Sequence, residues 1–285
     1  MTELLLTILK FSVAALIIGI GMSATFGDVG YLWRRPALFL RSLVAMYVLV
    51  PLAAFAIVKT FPITAPVKAV LLVFAASAGA PLLPRKLLNL GSGAYVFSLV
   101  VTSSVLAIAI VPAWVWALGR HFEASEAVSI GNVALVVARA FLLPLAIGMV
   151  IRALAPAWSQ RAAGKVIAAA GIGLLASAVV VLAVNWDIFL TVRGPGVAAL
   201  VTLLVVSLAI GHLLGGPLPD DRTALAVACS TRHIGLAVVV ASSFPGTSTL
   251  VVLGVYIVAS LLVTLPYLRW RRRASPVAAP AEGAG

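Results

Sequence analysis

Two stretches of this 285-residue chain set an arginine beside small, polar or helix-breaking residues in otherwise apolar sequence. The first reads Ala75-Ala76-Ser77-Ala78-Gly79-Ala80-Pro81-Leu82-Leu83-Pro84-Arg85-Lys86, the second Ala226-Val227-Ala228-Cys229-Ser230-Thr231-Arg232-His233-Ile234-Gly235. A guanidinium is a permanent charge with donors only. In such surroundings Arg232 has two roles open to it. It can bond the free carbonyls of an interrupted helix, or clamp a carboxylate or sulfonate in bidentate fashion. Ser230 and Thr231, like Ser77 in the first stretch, offer hydroxyls to unwound backbone or to a bound molecule. His233 titrates near physiological pH, yet its charged form is disfavoured beside Arg232. It reads either as a proton shuttle or as a neutral histidine bonding backbone. Arg85, next to Pro84 and Lys86, is explained as well by membrane topology as by ligand binding. Arg139 stands before Pro144 and either faces a cavity or bonds carbonyls that the proline frees. Cys229, the single cysteine, is a small packing residue and precludes a disulfide framework.

The elements that would position these residues are membrane helices. With 63% hydrophobic and 10% charged residues, the chain is not an ordinary soluble domain. Apolar windows lie at about 4–24, 36–58, 66–90, 92–118, 130–154, 164–186, 195–215, 221–243 and 248–268. The N-terminus lacks a basic region and a cleavage site, so it reads as the first span. Arg34, Arg35, Arg85, Lys86, Arg152, Arg161, Lys165, Arg222, Arg269 and Arg271 to Arg273 all fall on one face. That bias predicts an outside N-terminus and a cytoplasmic C-terminus. Lys10 and Arg41 lie close enough to span ends to snorkel. The net charge of +12 is thereby spread along a membrane face, which makes nucleic acid a poor partner. Residues 1–273 form one transmembrane unit, and 274–285, rich in Ala and Pro, form a disordered cytoplasmic tail.

The two breaks fall in spans three and eight, five helices apart, and so enter from opposite sides. Unwound backbone in a bilayer is tolerated only where protein buries it or water reaches it. Paired interruptions of this kind point to a transporter's binding site. The expectation is an inverted repeat, 1–118 lacking one helix against 130–268, with two broken helices crossing.

At these residues the chain resembles the bile acid:sodium symporter family. Gly21-Met22-Ser23-Ala24-Thr25, followed by Arg34-Arg35-Pro36, is similar to the family's opening stretch and its Arg-Pro entry to the next helix. The first break with Gly91-Ser92-Gly93-Ala94, and Arg222-Thr223 with Gly235-Leu236-Ala237 around the second, resemble the two crossovers. The resemblance runs over roughly residues 10–268. It implies an all-α polytopic membrane protein with the bile acid symporter / NhaA-like fold, panel and core domains, and alternating access. Members carry organic anions, commonly with sodium. Sodium-coupled members present a Glu and a Gln-Asn pair on the second crossover and an Asn on the first. This chain has no Glu, Gln or Asn from Arg222 to Gly246. Sodium needs hard oxygen ligands, and a guanidinium in its place repels the ion.

The reading is a secondary transporter of a small organic anion, independent of sodium. Its substrate would bind between the crossovers at Arg232, His233, Ser230, Thr231, Arg85, Arg139 and Ser77. Two alternatives stay open: a non-transporting sensor on the same fold, and a sodium-coupled symporter using backbone ligands. No cofactor or metal site is expected, and no acid–base pair or activated nucleophile for an enzyme. The coupling ion is left open. The expected partners are the anion, the lipid bilayer and a second copy in a homodimer, in a bacterial inner membrane.

Overall fold

The computed structural model describes residues 2–77, 93–122, 131, 134, 135, 138–192, 194–231 and 249–274. Among the described residues the chain is helical and has no strand. The elements are α1 (Thr2–Ser23), the single turn α2 (Phe26–Val29), α3 (Pro36–Val44), α4 (Val50–Thr60), α5 (Ala65–Ala76) and α6 (Gly93–Phe122). They continue with α7 (Leu143–Leu154), α8 (Pro156–Val184), α9 (Trp186–Val192), α10 (Pro195–Leu214), α11 (Pro219–Ser230) and α12 (Thr249–Ala274).

Among the described residues, five stretches are long and apolar enough to cross a bilayer: Pro36–Thr60, Ala94–Trp114, Pro156–Val184, Pro195–Leu214 and Val251–Ala274. The apolar part of α1, Thr7–Ser23, is shorter. The spans expected at 66–90 and 221–243 are helical from Ala65 to Ala76 and from Pro219 to Ser230, and most of their remaining residues lie outside the described ones. Much of the expected tail does too, although Ala274 itself ends α12. The span expected from residue 164 begins at Pro156 instead. Arg161 and Lys165 end the apolar window there without ending the helix, because proline in the first turn needs no N–H partner and helix formation does not require apolar residues.

Two π-helical turns, Ala45–Leu49 and Ala138–Leu142, come just before Pro51 and Pro144. Proline has no N–H for the carbonyl four residues earlier, and its ring crowds that carbonyl. Widening the preceding turn accommodates both.

The helices pack as two groups. Helix α1 lies against α7 and α8. Helices α3 to α6 and α10 to α12 form the other group, and α8 packs on α12 to join them. Backbones approach closely where α1 crosses α7. A Cβ on Gly148 would meet the Ile18 carbonyl and the Gly21 backbone, and one on Gly21 would meet Leu145 and Gly148. Small residues at such crossings allow the dispersion contacts that drive association in lipid.

Gly148→Ala is therefore expected to lower the thermal unfolding midpoint in detergent, by an overpacking cost of about 1–3 kcal/mol. Gly164→Ala, on the same bundle with open space at its Cβ, should leave the midpoint unchanged or raise it by the helix propensity gained.

Candidate functional site

Among the described residues, the helices expected to be interrupted, α5 and α11, stop close to one tyrosine. Helices α5 and α11 are each 12 residues long, about 18 Å at 1.5 Å per residue, too short for a hydrocarbon core of about 30 Å. They start at opposite ends. The stretch Pro36–Thr60 runs about 37 Å along its 25 residues. Helix α5 begins next to its far end and packs on α4. Helix α11 begins at its near end, where Arg35 meets Asp221 at 3.5 Å.

The start of α11 is anchored from two sides. Asp221 is buried in its first turn, favourably placed for the helix dipole. It accepts from the Arg35 guanidinium and, at 3.5 Å, from the Tyr31 hydroxyl. Arg35 lies over the Tyr31 ring, 4.3 Å from its centroid. From α12, the buried Arg271 donates through Nε to Thr223 Oγ1 and through Nη2 to the Pro219 carbonyl, each at 3.0 Å.

The far end of α11 unwinds at Thr231, whose φ of −94° and ψ of 147° are extended. Ser230 Oγ donates to the Val227 carbonyl at 2.9 Å, and Thr231 Oγ1 donates to the same carbonyl at 3.0 Å. That carbonyl already accepts the Thr231 N–H at 3.0 Å, so the hydroxyls reinforce the last turn, and Thr231 Oγ1 also reaches the Ala228 carbonyl at 3.4 Å. On α5, Ser77 Oγ does likewise toward the Phe74 carbonyl at 3.2 Å. All three serine and threonine side chains are buried.

Tyr256 of α12 touches both ends. Its hydroxyl donates to the Ser230 carbonyl at 3.3 Å, and its ring meets Phe74 of α5 edge-on at 5.2 Å between centroids. Beside it, α8, α12 and Thr231 enclose a cavity of about 290 Å³. Tyr256, Ser260, Thr264 and Thr231 give it hydroxyls, and Leu174, Leu175 and Leu261 are among its apolar walls. Such a lining suits a molecule with a polar end and a hydrocarbon body.

The sites expected from sequence are placed unevenly. Ser77, Ser230 and Thr231 lie at the two helix ends. Arg139 sits in the π turn before α7 with its side chain exposed, on the surface rather than in the interior of the described bundle. Arg85, Arg232 and His233 lie outside the described residues. Sequence reasoning missed Tyr256, although a hydroxyl in an apolar span needs a partner. It also missed Asp221, which the run Pro219-Asp220-Asp221 signals as a helix start. Among the described residues no three His, Cys, Asp or Glu side chains gather as a metal site. On α6, the buried hydroxyls of Thr102 and Ser104 have no hydrogen-bond partner among the described residues.

Tyr256→Phe keeps the ring on Phe74 and removes the hydroxyl that bonds the Ser230 carbonyl. It is expected to cost about 0.5–1.5 kcal/mol, whereas Tyr256→Ala should cost about 3–5 kcal/mol. Thermal denaturation of the purified variants separates the two contributions.

A profile of the Sodium Bile acid symporter family matches residues 10–192. The match takes in α1 to α9, including the first interrupted helix, and ends before the second. No curated protein matches the chain.

Proposed function

Since this chain belongs to the Sodium Bile acid symporter family, whose members move bile-acid-like organic anions across membranes, we propose that it carries a small organic anion by alternating access, without sodium. The observation that carries this reading is the meeting of two helix ends at Tyr256, beside a mainly apolar cavity into whose lining four hydroxyl-bearing residues fall.

A helix C-terminus carries a partial negative charge, and two of them converge here. An anion would be repelled unless a cation intervened. Arg232 follows Thr231 directly in the chain and supplies a fixed positive charge where a coupled ion would otherwise be needed. In this reading Arg232 and His233 take the anionic group, with Arg85 lending positive charge, while the exposed Arg139 takes no part. Ser230, Thr231 and Ser77 hold the unwound backbone in place. The group of α1, α7 and α8 plays the panel, and the larger group plays the core that moves past it. Nine spans, an inverted repeat, an outside N-terminus and a bacterial inner membrane complete the proposal. So does a homodimer.

One observation favours a sodium-coupled variant of the same function. The Thr102 hydroxyl is buried on α6 without a partner among the described residues. Together with backbone carbonyls it is the kind of hard oxygen that sodium takes.

Uptake of labelled organic anions into proteoliposomes, run in sodium and in potassium at equal ionic strength, separates the readings. The expected result is equal uptake in both salts and an affinity about tenfold weaker in Arg232→Gln, the loss of a charge-assisted pair. Uptake confined to sodium would instead support the Thr102 reading. Binding without accumulation would mean a sensor.

A further inference from the structure

A second cleft opens at the other end of α11, away from the proposed substrate cavity. It measures about 260 Å³ and lies between the start of α3 and the turn that leads into α11. Arg35, Leu38, Arg41, Gly216, Leu218 and Asp221 form it.

Its two cations differ. Arg35 is already engaged by Tyr31 and Asp221. Arg41 is exposed and has no hydrogen bond or ion pair among the described residues. Side chains on a helix lean toward its N-terminus, and so the guanidinium of Arg41 points back to the bundle end. There it lies against Gly216, where an added Cβ would stand 3.6 Å from Nη1. Gly216 has a φ of 84°, a conformation that favours glycine. Its carbonyl accepts from Arg222 Nε at 2.6 Å, bringing a third guanidinium to the same turn.

The rest of the cleft is apolar. Leu38 is buried at its base, and Leu218 is half exposed at its rim. On neighbouring faces Leu40 and Trp33 are exposed, with Trp33 stacked on Phe39 at 4.9 Å. An exposed tryptophan near charged residues marks the level of lipid headgroups. The geometry points to a binding site for the phosphate of an anionic glycerophospholipid, held by Arg41 with its first acyl carbons along Leu38 and Leu218. A free phosphate would leave the apolar walls unused. A zwitterionic headgroup would bring an ammonium into a cleft whose one carboxylate, Asp221, is already taken by Arg35 and Tyr31.

The test uses the full chain in detergent, titrated with short-chain phosphatidylglycerol, phosphatidylcholine of equal chain length, or inorganic phosphate. Thermal midpoint and the lipid retained in native mass spectrometry are the readouts. Phosphatidylglycerol should raise the midpoint of the wild type, with little effect from the other two. Arg41→Gln should unfold at the wild-type temperature without lipid and hold phosphatidylglycerol about fivefold more weakly, the contribution of one basic residue near an anionic lipid surface. Arg41→Lys should fall between the two. Arg161→Gln, on α8 and outside the cleft, should behave as wild type. Equal stabilisation by phosphatidylcholine, equal stabilisation by inorganic phosphate alone, or unchanged binding in Arg41→Gln would each overturn the assignment.

Discussion

Everything at the centre of this protein follows from the cost of ending a helix in an apolar interior. The last carbonyls of a helix have no partners within it, and an unpaired polar group in hydrocarbon costs several kcal/mol. Helices α5 and α11 both end in this way, and the chain answers with side chains at hand. Thr231 Oγ1 reaches the Ala228 carbonyl at 3.4 Å, while Ser77 and Ser230 reinforce the preceding turn. Tyr256 reaches across from α12 to the Ser230 carbonyl while its ring rests on Phe74. One residue on a continuous helix thereby ties two interrupted ones to each other.

Such a junction is stable only if both half-helices are held at their outer ends. For α11 the hold is electrostatic and buried. Asp221 with Arg35 and Tyr31 fixes its first turn against the loop before α3, and Arg271 with Thr223 and the Pro219 carbonyl fixes it against α12. Only Asp221 is buried in its pair, Arg35 being 45% exposed, so losing Arg35 would leave a buried carboxylate short of its counter-charge. The crossing of α1 and α7 at Gly21 and Gly148 does the corresponding work in the smaller helix group, through contact rather than charge. Between the two groups, where α8 faces α12, the packing leaves the larger cavity.

That division of labour makes physical sense for a carrier. Charges and hydroxyls secure the parts that must keep their shape, while the interface between the groups is lined largely by aliphatic side chains and hydroxyls. Among the described residues no ion pair crosses that surface, so those groups can slide without breaking one. Four arginines, Arg35, Arg41, Arg222 and Arg271, gather around the start of α11.

Composition and the order of residues were enough to identify a polytopic helical membrane protein and its family, and to mark where two of its helices end. Hydrophobicity and helix breaking are properties of a short stretch of chain. The helices end at Ala76 and Ser230, within the stretches where small and polar residues begin. Which faces meet could not be read in the same way. A helix that is apolar all round has no marked face, because lipid and protein interior reward the same residues. The pairing of Tyr256 with Phe74 and Ser230, the burial of Asp221 under Arg35, and the exposure of Arg139 were decided only when segments far apart in sequence packed together. Even the extra length of α8 belongs there, since an apolar window marks where a helix enters lipid and not where the helix begins.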